Sequence, residues 1–243
     1  MFAKKRKRIW IRTALICIGL TIVGDNVYAK TINKSEGKNM DHQHHSSHSV
    51  PGASEVKPFV SYNNGELVIE LKDENGKLPE LKVSHEKIMH LIVISSDLKA
   101  YHHLHPEEKG NRIYVQKLKL PNDDYKVFID INPKDLMYKV GPVTLSIGGI
   151  QKDPTKNKLV AETDFTKTIN GKTVELITEK IEVNKEVTFN FDVKDAKPDP
   201  YLGALGHVVI TDEVGEKFIH VHPLSEDETV FVTQFDEVGM YKM

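Results

Sequence analysis

The chain has almost no cysteine, one in 243 residues. A single thiol forms no internal disulfide, which excludes a disulfide-stapled scaffold and every zinc module built on paired cysteines. Positive charge is not in excess either. Lys and Arg number 33 against 35 Asp and Glu, a formal net charge of −2, so the basic surface of a non-specific nucleic-acid binder is missing. No stretch keeps a helical period, no Ser-His-Asp constellation is visible, and Gly148-Gly149 is a turn signal rather than a phosphate-cradling loop. What remains is a chain with 39% apolar and 28% charged residues, enough for a packed core of one large or two modest domains. Histidine is the unusual abundance, with twelve.

The N-terminus reads as a targeting segment. Lys4 to Arg8 form a basic cluster, an apolar stretch from Trp10 to Gly24 is broken by Arg12, and Val27-Tyr28-Ala29 places small residues at −3 and −1. This is the pattern of a Sec-type signal peptide over residues 1–29, cleaved after Ala29. The run from Thr13 to Gly24 is short for a membrane-spanning helix, although an uncleaved anchor is the alternative. Ile16 before Cys17 is too large for a lipoprotein signal. Cleavage removes six basic residues and Asp25, leaving 27 Lys and Arg against 34 Asp and Glu, a balance of −7 with no cysteine. The expected location is therefore secreted or in the extracytoplasmic cell envelope, with no stable membrane insertion after cleavage.

Residues 30–56 are polar and small, the composition of a disordered tether. They contain Met40-Asp41-His42-Gln43-His44-His45-Ser46-Ser47-His48. His42, His44, His45 and His48 can wrap a borderline transition metal, or they can be solvated and idle.

From Pro58 onward, short β-branched runs alternate with Gly, Asn, Asp and Pro. Glu66 to Lys72, His90 to Ile94, Arg112 to Leu120, Tyr125 to Ile131 and Val143 to Ile147 form one series of expected strands. Thr173 to Ile181, Val187 to Val193, His207 to Ile210, Lys217 to Val221 and Val230 to Phe235 form another. Lys134 to Tyr138 allows one helical turn. The expected fold class is all-β, with two tandem Ig-like or cupredoxin-like β-sandwich domains at 57–150 and 151–243.

The two series repeat a motif. His90 followed by His103, His105 and Pro106 matches His207 followed by His220, His222 and Pro223, H-x12-H-x-H-P in both. Residues i and i+2 of a strand face the same side, so each HxH pair projects together. Ser95 to Leu98 and Asp212 to Gly215 supply hairpin turns. If the hairpin sets His90 across from His103 or His105, and His207 across from His220 or His222, three imidazoles share one face within reach of one ion. A one-residue slip would scatter them. Three neutral imidazoles suit Zn²⁺ or Cu²⁺, and His85 can close the first triad. His102 faces the other way and reads as structural. Paired histidines that only hydrogen-bond to one another are the non-metal alternative.

The segments from Lys87 to Leu98 and from Tyr201 to Ile210, each followed by HxHP, resemble a family of exported bacterial β-sandwich proteins associated with heavy metals or copper, CopC-like or cupredoxin-like in character. The resemblance spans roughly residues 60–243 and implies metal handling outside the cytoplasm, with a metal transporter or cell-envelope protein as partner. Blue-copper electron transfer is excluded, because it needs a Cys thiolate. The second copy reaches Tyr241-Lys242-Met243 where the first continues to Gly149, so the second sandwich is expected to be truncated, with an unpaired edge. The first functional expectation is a non-catalytic copper or zinc scavenger or chaperone. The alternatives are a cupin-like metalloenzyme using His220, His222 and Glu226, and a cell-surface interaction domain.

Overall fold

Alternation of side chains decides which face of each strand is buried. In Glu66–Asp73, Leu67, Ile69 and Leu71 are fully buried while Glu66, Glu70 and Lys72 are exposed. The computed structural model describes residues 19–22, 54–84, 86–111, 113–149, 152–201 and 203–243. Over these residues the chain is all-β and forms two sandwiches.

In the first, the sheet β2 (Val56–Asn63), β3 (Glu66–Asp73), β8 (Ile113–Lys117), β7 (Glu107–Glu108) packs on a second sheet. The latter runs β10 (Pro142–Ser146), β9 (Asp124–Pro133), β5 (Met89–Ser95), β6 (Tyr101–Leu104), with β4 (Leu81–Lys82) paired to β9. Leu67, Ile69, Leu71 and Tyr114 meet Met89, Leu91, Val93, Val127 and Ile129 in one apolar core. Pro58 lies inside β2, a strand missing from the expected series, which opened at Glu66. The position is tolerated because β2 is an edge strand.

The second sandwich sets β11 (Thr166–Ile169), β12 (Lys172–Thr178), β13 (Glu186–Val193), β16 (Val230–Gln234) against another sheet. That sheet runs β1 (Gly19–Ile22), β17 (Gly239–Lys242), β14 (Val208–Asp212), β15 (Phe218–Val221). Val187, Phe189 and Phe231 pack there against Val208, Ile210, Ile219 and Val221. In the full chain β1 pairs antiparallel with β17 in the place that β10 takes beside β9, and cleavage after Ala29 would remove that strand and leave the edge bare as expected. Those four residues fall within the apolar run of the expected signal segment, whose other residues lie outside the described ones. Lys134 to Tyr138 makes no helix. Asp135 takes a left-handed conformation, φ 58°, and the chain turns there instead.

The sandwiches meet through the outer faces of β5, β6 and β9 and of β14 and β15. Every residue of β5 is buried, because Leu91 and Val93 face the first core while Ile92 and Ile94 face the second sandwich. Ile92, Ile94, Leu98 and Phe128 pack on Val209 and Phe218, and the Phe128 and Phe218 rings stack at 4.7 Å and 17°. Polar ties surround this plug. Lys126 Nζ donates to Glu216 at 2.5 Å, and Lys242 Nζ donates to the Leu98 carbonyl at 2.5 Å. Asn157, in the connecting segment, donates to the carbonyls of Ser96 and Glu213, one in each hairpin turn, at 2.6 and 3.1 Å. The apolar plug and these ties hold the two histidine hairpins face to face.

Candidate metal centre

Strand register places the histidines. Leu91 pairs with Leu104 and Ile92 with His103, so continuing the ladder sets His90 across from His105. Val208 pairs with Val221 and Val209 with His220, which sets His207 across from His222. All six imidazoles therefore point away from the two cores and into the seam between the sandwiches, at the end next to the Phe128–Phe218 plug. The hairpin turns use the residues expected. Leu98 N donates to Ser95 O and Gly215 N to Asp212 O, with Leu98 and Gly215 both at positive φ.

Rings from the two copies interleave. His90 lies 5.3 Å from His220, and His103 lies 5.4 Å from His220 and 5.5 Å from His207, centroid to centroid. Two groups of three rings gather ligand nitrogens within 4.8 Å of one another: His90 with His103 and His220, and His207 with His220 and His222. The first draws on both sandwiches and the second on one. His105 approaches through its Nε2, 3.2 Å from His90 Nδ1, where His103 Nε2 also lies at 3.1 Å.

Backbone and carboxylate acceptors fix which nitrogen of three rings faces inward. A carbonyl only accepts, so His90 Nε2–H donates to Ser84 O at 3.2 Å and leaves Nδ1 as the lone-pair nitrogen. His207 repeats this: its Nε2–H donates to Tyr201 O at 2.9 Å, also six residues upstream, and its buried Nδ1 has no hydrogen-bond partner among the described residues. His220 Nδ1 donates to Asp130 Oδ2 at 2.9 Å, which turns Nε2 toward the cluster. Histidine ligands of metals are commonly oriented by this kind of acceptor. The carbonyl-bearing loops are short bridges, Ser84 with Lys87 and Tyr201 with Ala204. They touch where a Cβ on Gly203 would stand 3.1 Å from the Glu86 carboxylate.

Four of the six rings are held toward the neutral form. Burial first, then the neighbouring rings of His220, His105, His207 and His90, push His103 down to about 2. Burial, then His90, Lys87 and His207, bring His105 to about 4. His90 and His207 are also lowered by burial, against which Ser84 and Asp130 raise His90 and the Tyr201 carbonyl raises His207. Neutral imidazoles at neutral pH are what a divalent transition metal requires.

Of the residues expected to bind metal, His90, His103, His105, His207, His220 and His222 converge in this seam. His85, His42, His44, His45 and His48 lie outside the described residues. His102 pairs with Val93, on the opposite face of β6 from His103, and stands apart from the cluster. Glu226 is exposed and joins neither ligand group. Sequence reasoning missed Asp130 and the two carbonyls. Asp130 had a signal, a lone acid in the apolar run Val127-Phe128-Ile129-Asp130-Ile131 at a position that pairs with His90. The carbonyls had none, because a backbone acceptor is silent in sequence.

Residues 50–147 and 167–243 match the sequence family described as Domain of unknown function (DUF8832), and the chain belongs to that family. The two matched segments accord with a duplicated sandwich unit. No curated protein matches the chain. A crystal structure of S. aureus TarS 217-571 aligns over 74% of this chain at 15% identity with a TM-score of 0.23. This chain spans 55% of the length of that one, and a likeness at that level carries no argument. Neither match names copper or a CopC-like protein.

Proposed function

We propose that this member of the DUF8832 family is an exported, non-catalytic transition-metal binder, a scavenger or chaperone for copper or zinc. The observation that carries the reading is the convergence of six histidines from two copies of one motif, three of them with one ring nitrogen already engaged by a carbonyl or carboxylate. Six rings that served packing alone would have no use for the same carbonyl device built twice. An all-imidazole donor set favours borderline ions such as Zn²⁺ and Cu²⁺ over hard cations such as Mg²⁺ and Ca²⁺. The His42–His48 segment would collect the ion loosely and the seam would hold it. Release would go to a metal transporter or cell-envelope partner. Export rests on the basic and apolar N-terminal segment ending at Ala29.

Calorimetric titration of the purified chain with Zn²⁺ and Cu²⁺, in parallel with His90→Ala and His220→Ala, tests this. The reading expects tight binding that both substitutions weaken by a hundredfold or more. Affinity no greater than that of a peptide covering residues 38–50 would overturn it and leave an interaction domain as the better account.

A further inference from the structure

We propose that the seam takes one divalent ion at a time, held by His90, His103 and His220 so that it bridges the two sandwiches, with Asp130 as the positioning residue for His220. This rests on the metal-binding reading above and assigns its ligands and stoichiometry.

The argument begins with His220, which belongs to both groups of three. Its Nδ1 is bonded to Asp130 Oδ2, so only Nε2 can face an ion, and one lone pair binds one ion. A second ion at His207, His220 and His222 would need that same nitrogen. Two dications a few ångströms apart would also repel in a seam whose gathered ligands are all imidazoles. The two groups are therefore alternatives.

Asp130 favours the bridging one. In the β5–β9 ladder it pairs directly with His90, and its side chain reaches across to His220, so its negative charge stands beside two of the three bridging ligands. His90 and His220 are also the most deeply buried of the six rings, 2% and 3% exposed, so an ion between them is shielded from water. The carboxylate that fixes the His220 ring also offsets part of the ion's charge.

The test uses the full chain with His42, His44, His45 and His48 replaced by Ala, so that the tail adds no sites, and counts Zn²⁺ bound by equilibrium dialysis. The expected result is one tight ion per chain, lost in His90→Ala and retained in His222→Ala. Asp130→Asn keeps an acceptor for the His220 Nδ1–H but removes the charge. It is expected to weaken Zn²⁺ by ten- to a hundredfold, shift the visible ligand-field bands of the Co²⁺-loaded protein and be partly rescued in Asp130→Glu. Two tight ions per chain, or one ion lost in His222→Ala and kept in His90→Ala, would overturn the bridging assignment and leave the metal-binding reading standing. Unchanged affinity and Co²⁺ bands in Asp130→Asn would remove Asp130 from the proposal. No tight ion in the tail-substituted chain would overturn both.

Discussion

Asp130 and His220 sit ninety residues apart in the chain, one on each sandwich, and meet Oδ2 to Nδ1 at 2.9 Å across the seam. His220 is almost fully buried, and a polar contact at that depth needs a partner of matched geometry. The pair ties the orientation of a second-copy ring to a first-copy strand. The duplicated motif therefore gathers its rings into one joint cluster, where the sequence left open two separate ones.

Acid destabilises this protein through its seam histidines. His103 and His105 are held at about 2 and about 4, below the value near 6.5 of an unfolded chain. The folded state thus binds fewer protons than the unfolded state. Their contribution is complete above about pH 6.5 and is lost as pH falls toward 4 and then 2. Urea denaturation of chelator-treated protein at pH 7.5, 6.5, 5.5 and 4.5 should show a midpoint that falls steadily below 6.5. A midpoint flat from pH 7.5 to 4.5 would contradict the burial of neutral rings.

The same shifts set the acid limit of metal binding. Because these rings resist protonation, Zn²⁺ should stay bound to the seam at pH values where a peptide carrying His42, His44, His45 and His48 has released it. Dialysis of protein and peptide side by side between pH 7 and pH 5 measures the gap.

The apolar plug should carry much of the docking energy. Phe218 is buried and stacked on Phe128 at 4.7 Å. Phe218→Ala removes that stack and leaves a cavity, at an expected cost of about 3 kcal/mol. Phe128→Ala combined with it should cost less than the sum of the two, because they share one contact. Urea unfolding of the single and double variants measures both quantities.

Much of this fold was legible because burial on one face writes a period of two into the sequence. The strands carrying Leu67, Ile69 and Leu71 and carrying Val187 and Phe189 are clear cases. Strand β5 reads as a continuous apolar run for a reason the sequence did not disclose: Ile92 and Ile94 are buried by the second sandwich. The histidine spacing revealed which rings share a face. It could not reveal that the two faces oppose each other, since that depends on contacts such as Phe128 with Phe218 between residues far apart in the chain. The bare edge expected on β17 was read from the chain's own repeat, and the pairing of Gly19–Ile22 with that edge belongs to the chain before cleavage after Ala29.

Gly203 is constrained twice. It takes φ +75°, and a Cβ there would stand 3.1 Å from Glu86, in the loop whose Ser84 carbonyl holds His90. Gly203→Ala should cost about 1–2 kcal/mol of stability, more than a glycine replacement in relaxed backbone. Gly141→Ala, which has open space and ordinary φ, is the control. Comparison of their urea midpoints decides it.

Anomalous diffraction at the zinc edge from crystals of the Zn²⁺-loaded protein tests the central claim most directly. A peak in the seam, about 2.0–2.1 Å from nitrogens of His90, His103 and His220, is the predicted result. Zinc confined to the surface, with no peak among the six rings, would contradict it.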